Sequence, residues 1–131
     1  MLIYQLFSIA KRYLNSFPQT LECCEALGME NREIDDGQIT ASSEWDNNHA
    51  ARQGRLQFKQ NGAKRGAWSS RKNDQNQWLQ INMGFVHKVT GVGTQGRDNV
   101  KQWVTRYRLQ FSNDCVNFQT YKRQGASTKV K

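Results

Sequence analysis

At 131 residues the chain has room for one domain with a buried core, and its 37% hydrophobic content, ten glycines and single proline exclude a low-complexity or collagen-like architecture. No apolar run is long enough to cross a bilayer as a helix. The formal charge of +8 is unevenly spread: residues 1–46 hold three Lys/Arg against eight Asp/Glu, a net of −5, whereas residues 47–131 hold sixteen against three, a net of +13. The interval from Asn47 to Asn73 contains seven basic residues and no acid. Such asymmetry suits an anionic partner (lipid headgroups, sulfated glycans or nucleic acid) or a basic face kept for solubility.

In chain order, residues 1–22 do not match the rest. Leu2, Leu6, Ile9 and Tyr13 recur at helical spacing, which predicts a short amphipathic helix ending near Pro18. The alternative is a signal peptide with its apolar core at Leu2–Ala10, although no basic residue precedes that core and Gln5 interrupts it. The domain proper is placed at 23–131. Gln38–Ser43 reads as a short strand, and the polar run from Glu44 to His49 as a loop. Asn61-Gly62 signals a type I′ hairpin turn. Leu79, Ile81, Met83 and Phe85 alternate against Gln80 and Asn82, the pattern of a strand with one buried face. Gly84 marks a turn, Val86–Thr94 a second strand, and Gly96-Arg97 the start of a loop. Trp103, Thr105, Tyr107, Leu109 and Phe111 alternate against Val104, Arg106, Arg108 and Gln110. Ser112–Cys115 is a turn, and Val116–Phe118 begins the return strand. Short strands separated by turns, with no helical period after residue 22, predict an all-β sandwich.

The candidates for chemistry are few. Gly91-Val92-Gly93-Thr94-Gln95-Gly96 satisfies the dinucleotide pattern G-x-G-x-x-G, but that pattern works only where the last glycine opens a helix. Here Arg97–Gln102 leads instead into the next strand, so no cofactor is expected. His49 and His87 belong to no spaced ligand set, Cys23-Cys24 is poor geometry for one metal ion, and no G-x-S-x-G elbow surrounds a serine. The expectation is a protein that is neither an enzyme nor a metalloprotein. Trp68, Trp78 and Trp103 sit in strand or strand-edge runs and are expected in the core. Trp45 stands among Glu44, Asp46, Asn47 and Asn48, where its ring is either tucked onto the end of the sandwich or offered to a ligand.

The run Gln77–Arg97, QWLQINMGFVHKVTGVGTQGR, resembles the hallmark of the discoidin (coagulation factor V/VIII type C) domain. Cys23 followed by LGMEN at Leu27–Asn31, QITASS at Gln38–Ser43, GRL at Gly54–Leu56 and GAW at Gly66–Trp68 resemble further family motifs in order. The resemblance implies a jelly-roll sandwich of the galactose-binding-like type, and a non-catalytic extracellular module for adhesion or recognition. Its partners would be anionic phospholipid, glycan, collagen or a cell-surface protein. Binding would use loops at one end, here Glu44–His49 and Gly96–Gln102. Trp45 and Arg97 are the residues carried over, with Asp46, Asn48, Asn99, Val100 and Lys101 around them. Arg97 has a structural alternative, an ion pair with Asp98 or Asp46. In the family the first cysteine bridges to one at the far end of the domain. Here the expectation is that the closing strands and that partner are lacking, which leaves Cys23 unbridged, the sandwich incomplete and part of its core exposed. Cys115 stands where the family usually has glycine. The rival reading is a basic β-domain for single-stranded nucleic acid, stacking bases on Trp45 or Phe58; buried Trp78 and Trp103 would argue against it.

Overall fold

A computed structural model describes residues 7–11 and 26–122. Six short strands follow in order: β1 (Phe7–Lys11), β2 (Ile39–Ala41), β3 (Leu79–Ile81), β4 (Lys88–Gly93), β5 (Gln110–Phe111) and β6 (Gln119–Thr120). They pair antiparallel as three two-stranded sheets, β1–β4, β2–β3 and β5–β6. Single 3-10 turns at Asp36–Gln38, Asn47–His49 and Ala51–Gly54 are the only helical pieces among the described residues. The architecture is the all-β sandwich with small, partial sheets.

The helix expected within residues 1–22 is corrected where the chain is described. Residues 7–11 form β1, with Phe7 opposite Gly93, Lys11 opposite Lys88 and a bulge between Ile9 and Ala10. A helix of three turns is marginal in water. The edge of β4 offers this segment a full set of backbone partners instead. Cys23 and Cys24 lie outside the described residues. Cys115 is exposed and free, so it makes no bridge to Cys23. Its φ of 59° is the left-handed conformation in which glycine is at ease.

One core cluster holds the described chain together: Met29, Ile34, Ile39, Ala51, Trp68 and Leu79, flanked by Leu27, Ala41, Leu56, Ile81 and Val104. Ile39 faces Ile81 and Ala41 faces Leu79 across β2–β3, so the two strands deliver matched apolar residues to one face. Arg55, counted above in the basic stretch, is buried beneath that cluster. It donates to Asp36 Oδ1 through Nε (3.1 Å) and Nη2 (2.7 Å), to the Ile34 carbonyl (2.6 Å) and to the Met29 carbonyl (3.3 Å). Burying a charge demands such partners, and Arg55 therefore presents nothing to an anion.

Of the three tryptophans expected in the core, only Trp68 is there, at 0% exposure. Trp78 is 48% and Trp103 59% exposed. Leu79 and Ile81 fix the inward phase of β3, and a period of two then turns Trp78 outward. The expected long strand 103–111 is paired only at Gln110–Phe111. Trp103 instead lines an open cleft of about 240 Å³ with Thr94, Gln95, Gly96, Val104 and Tyr107. Phe85, expected on the buried face, lies beyond the end of β3 and is 85% exposed. Phe111, Val116, Phe118 and Tyr121 around the β5–β6 hairpin are exposed too. The Asn61-Gly62 turn forms, with Asn61 and Lys64 exchanging two backbone bonds at 3.1 Å. Only Gly62 takes positive φ (57°), so Asn61 flanks the turn rather than occupying its centre.

Candidate functional site

The first expected loop leaves β2 at Ser42 and is built from its own polar side chains. Asp46 caps the turn at Asn47–His49: its Oδ1 accepts the Asn48 N–H at 2.8 Å and lies 2.7 Å from His49 Nδ1. The bond with His49, then the backbone N–H of Asn48, hold the Asp46 carboxyl below its ordinary range. Glu44 bridges the loop to the next turn by accepting the Ala51 N–H at 2.7 Å. With these groups occupied inward, the Trp45 ring stands out, 53% exposed. The ring is therefore not tucked fully onto the end of the sandwich.

The second loop leaves β4 at Thr94 and closes on itself. Arg97 N–H donates to the Gln102 carbonyl and Arg97 Nη1 to Gln102 Oε1, both at 2.8 Å. The ion pair weighed for Arg97 with Asp98 or Asp46 is not what braces it. Asp98 accepts Gln60 N–H (2.9 Å) and Lys59 Nζ (3.4 Å), and Asp46 is committed to His49. Arg97 is half-buried, and its Nε is sealed from solvent with no acceptor. Desolvation first, then the nearby charge of Arg65, lower its pKa, while Asp46 pulls the other way. Asn99, at φ 61°, reaches back to Asp98 Oδ2 (3.1 Å). Val100 and Lys101 are exposed at the tip.

Sequence reasoning missed what joins the two loops. The segment Arg65–Ser69 runs between them as a shared wall: Arg65 N–H donates to the Asn48 carbonyl (2.8 Å), Ser69 N–H to the His49 carbonyl (3.2 Å), and Trp45 N–H to the Ser69 carbonyl (2.8 Å). On its other side Asp98 N–H donates to the Gly66 carbonyl (3.3 Å). Gly66 is required there, since a Cβ at that position would lie 2.3 Å from Asp98 Cβ. Trp68 anchors the wall in the core and donates from Nε1 to the Ser43 carbonyl (2.9 Å). Asp46, Asn48, Arg97 and Asn99 are thus drawn together, with Trp45 and Val100 as exposed apolar tips. The Trp78 backbone exchanges bonds with Ser42, at the start of the first loop (Trp78 N–H to Oγ and Ser42 N–H to the Trp78 carbonyl, both 3.0 Å). The i, i+2, i+3 spacing of Asp46, Asn48 and His49 was a readable signal for the cap. The wall, formed between residues tens of positions apart, left none.

Gly96 leads into no helix. A Cβ on it would approach the Gln102 carbonyl oxygen to 3.2 Å, so the glycine serves the close return of the loop. Among the described residues no group of three His, Cys, Asp or Glu is placed to hold a metal ion, and no helix is long and apolar enough to cross a membrane.

A β-sandwich that gathers loops at one end around an exposed aromatic and a cation has the form of a binding module. The model of the F5/8 type C domain matches residues 38–131, and the chain belongs to that family. It is similar to neuropilin-1 of Homo sapiens (35% identical over 112 residues, 82% of this chain and 12% of the relative). It is also similar to lactadherin of Rattus norvegicus (37% over 110 residues, 80% and 26%) and to retinoschisin of Homo sapiens (34% over 110 residues, 79% and 48%). The chain spans less than half the length of each of these relatives.

Proposed function

We propose that this chain is a non-catalytic extracellular recognition module that binds an anionic partner through the end formed by Glu44–His49 and Gly96–Gln102. The matched relatives are discoidin-domain proteins of the extracellular space and the cell surface, which supports the class. The observation that carries the site is the convergence of both loops on one wall, with the Trp45 ring exposed on the first loop and Arg97 half-buried on the second. Trp45 and Val100 would supply apolar contact, and Arg97 a planar donor to oxyanions. Asp46, Asn48 and Asn99 would hold the rim, and Lys101 would add a screened positive field. Phosphatidylserine vesicles, heparin and fibrillar collagen are the probes that fit this chemistry. They should be compared on one surface with single-stranded DNA. Saturable binding to at least one of the three, above the DNA signal, is expected; binding to DNA alone, or to none, sinks the reading.

The nucleic-acid alternative gains one observation, because Trp78 and Trp103 are exposed rather than buried. Yet the positive field available to a strand is smaller than the sequence suggests, since Arg55 is buried and Lys59 is paired with Asp98. The DNA arm of the same comparison decides between them.

A further inference from the structure

We propose that Arg65 is the second cation of the binding end, and that Arg65 and Arg97 together select a doubly charged oxyanion, a phosphate monoester, over a carboxylate. The inference rests on the loop-end reading above and deepens it.

Arg65 is held where it would be needed. Its backbone N–H is fixed to the Asn48 carbonyl of the first loop at 2.8 Å, and the next residue, Gly66, lies against Asp98, the neighbour of Arg97. The side chain is half-buried and has no hydrogen-bond or ion-pair partner among the described residues, in contrast to Arg55. Neither guanidinium has a carboxylate bonded to it, although the charge of Asp46 offsets part of the repulsion on Arg97. Asp46 is taken by His49 and Asn48, and Asp98 by Gln60, Lys59 and Asn99. Arg97 spends one N–H on a neutral amide and buries another without an acceptor. Burial first, and the charge of Arg65 second, disfavour the charged form of Arg97, so the two cations lie within reach of each other's field. Two guanidiniums carried on adjoining backbone segments repel each other until an anion enters. A carboxylate carries one charge and matches one planar fork, whereas a phosphate monoester carries nearly two and presents three acceptors to two forks.

The test follows the side-chain Nε–H resonances of both arginines by NMR while sodium phosphate or sodium acetate is added at constant ionic strength in mildly alkaline buffer. Phosphate should shift both resonances and bind about tenfold more tightly than acetate, the worth of one extra charge-assisted bond. Arg65→Gln should abolish that preference while Arg97 still answers acetate, and Arg65→Lys should restore only part of it. Unchanged melting temperatures in both variants certify the fold. Vesicles containing phosphatidic acid, compared with vesicles of equal charge density containing phosphatidylglycerol, separate the sources. A preference for the monoester lipid assigns a headgroup, and a response to inorganic phosphate alone assigns a soluble phosphate. Equal affinity for phosphate and acetate, or a preference that survives Arg65→Gln, overturns the role of Arg65 and leaves the loop-end reading standing. Silence of both arginines toward every anion overturns the role of Arg65 as well, and it also removes Arg97 from the proposed site.

Discussion

Gly66→Ala tests the shared wall without touching any proposed ligand group. The added Cβ would meet Asp98 Cβ at 2.3 Å, and the Asp98 Cα and N at 3.2 Å, so backbone rather than a flexible side-chain tip must yield. Gly66 is not at positive φ, so alanine's own conformation is unstrained there. Left to that effect alone, Gly→Ala would stabilise by about 0.4–1 kcal/mol. Overpacking against a fixed backbone costs about 1–3 kcal/mol. Loss of the 3.3 Å bond from Asp98 N–H to the Gly66 carbonyl adds about 1 kcal/mol. Destabilisation therefore wins, by about 1–3 kcal/mol, read from urea denaturation at unchanged slope. Because pushing Asp98 off the wall carries its neighbour Arg97 away from Asn48, affinity for the probe that binds should fall with it. Gly37→Ala is the matched control, since nothing lies within 4 Å of its new Cβ. A Gly66→Ala protein as stable and as tightly binding as the parent would refute the wall.

Trp68→Ala should cost about 3–5 kcal/mol, because the ring is fully buried and its N–H would leave the Ser43 carbonyl unpaired; equilibrium unfolding measures it. The Asp46 carboxyl has a lowered native pKa, so its contribution is present above the unfolded carboxylate value of 3.8 and lost as pH falls through the lower native one. Acid titration should accordingly release the Trp45 loop, seen as a shift in tryptophan fluorescence that Asp46→Asn abolishes. Cys115→Gly should stabilise by up to about 1 kcal/mol by relieving a left-handed residue, and any destabilisation in thermal melts would contradict this.

How much of this was legible depended on the range of the forces involved. The sandwich class was readable because Gln77–Arg97 and the shorter motifs carry local strand and turn chemistry that the family shares. Leu79 and Ile81 also announced their own buried phase. The same phase should have turned Trp78 outward, and assigning it to the core let hydrophobicity override geometry. The strand at Phe7–Lys11 was hidden because its stability comes from a partner eighty residues away, while its apolar spacing fits a helix locally. Trp45 and Arg97 were singled out from the family motif, but the setting of Arg97 was not legible: its brace is the neutral Gln102, outside the acids that charge matching suggested. Arg65 and Gly66 were invisible for a simpler reason. Their roles exist only where three segments meet.

The measurement that bears most directly on the loop-end account is the affinity of Trp45→Ala for whichever of phosphatidylserine vesicles, heparin or collagen binds the parent, taken across a salt series with a thermal melt of each protein. Trp45 is exposed and only its backbone N–H is tied down, to Ser69, so truncating the ring should leave the melting temperature unchanged. Affinity should drop by about 2 kcal/mol, roughly thirtyfold, with the same slope against salt, because an apolar anchor is lost and no charge is. Undiminished binding by a folded Trp45→Ala protein would contradict the account.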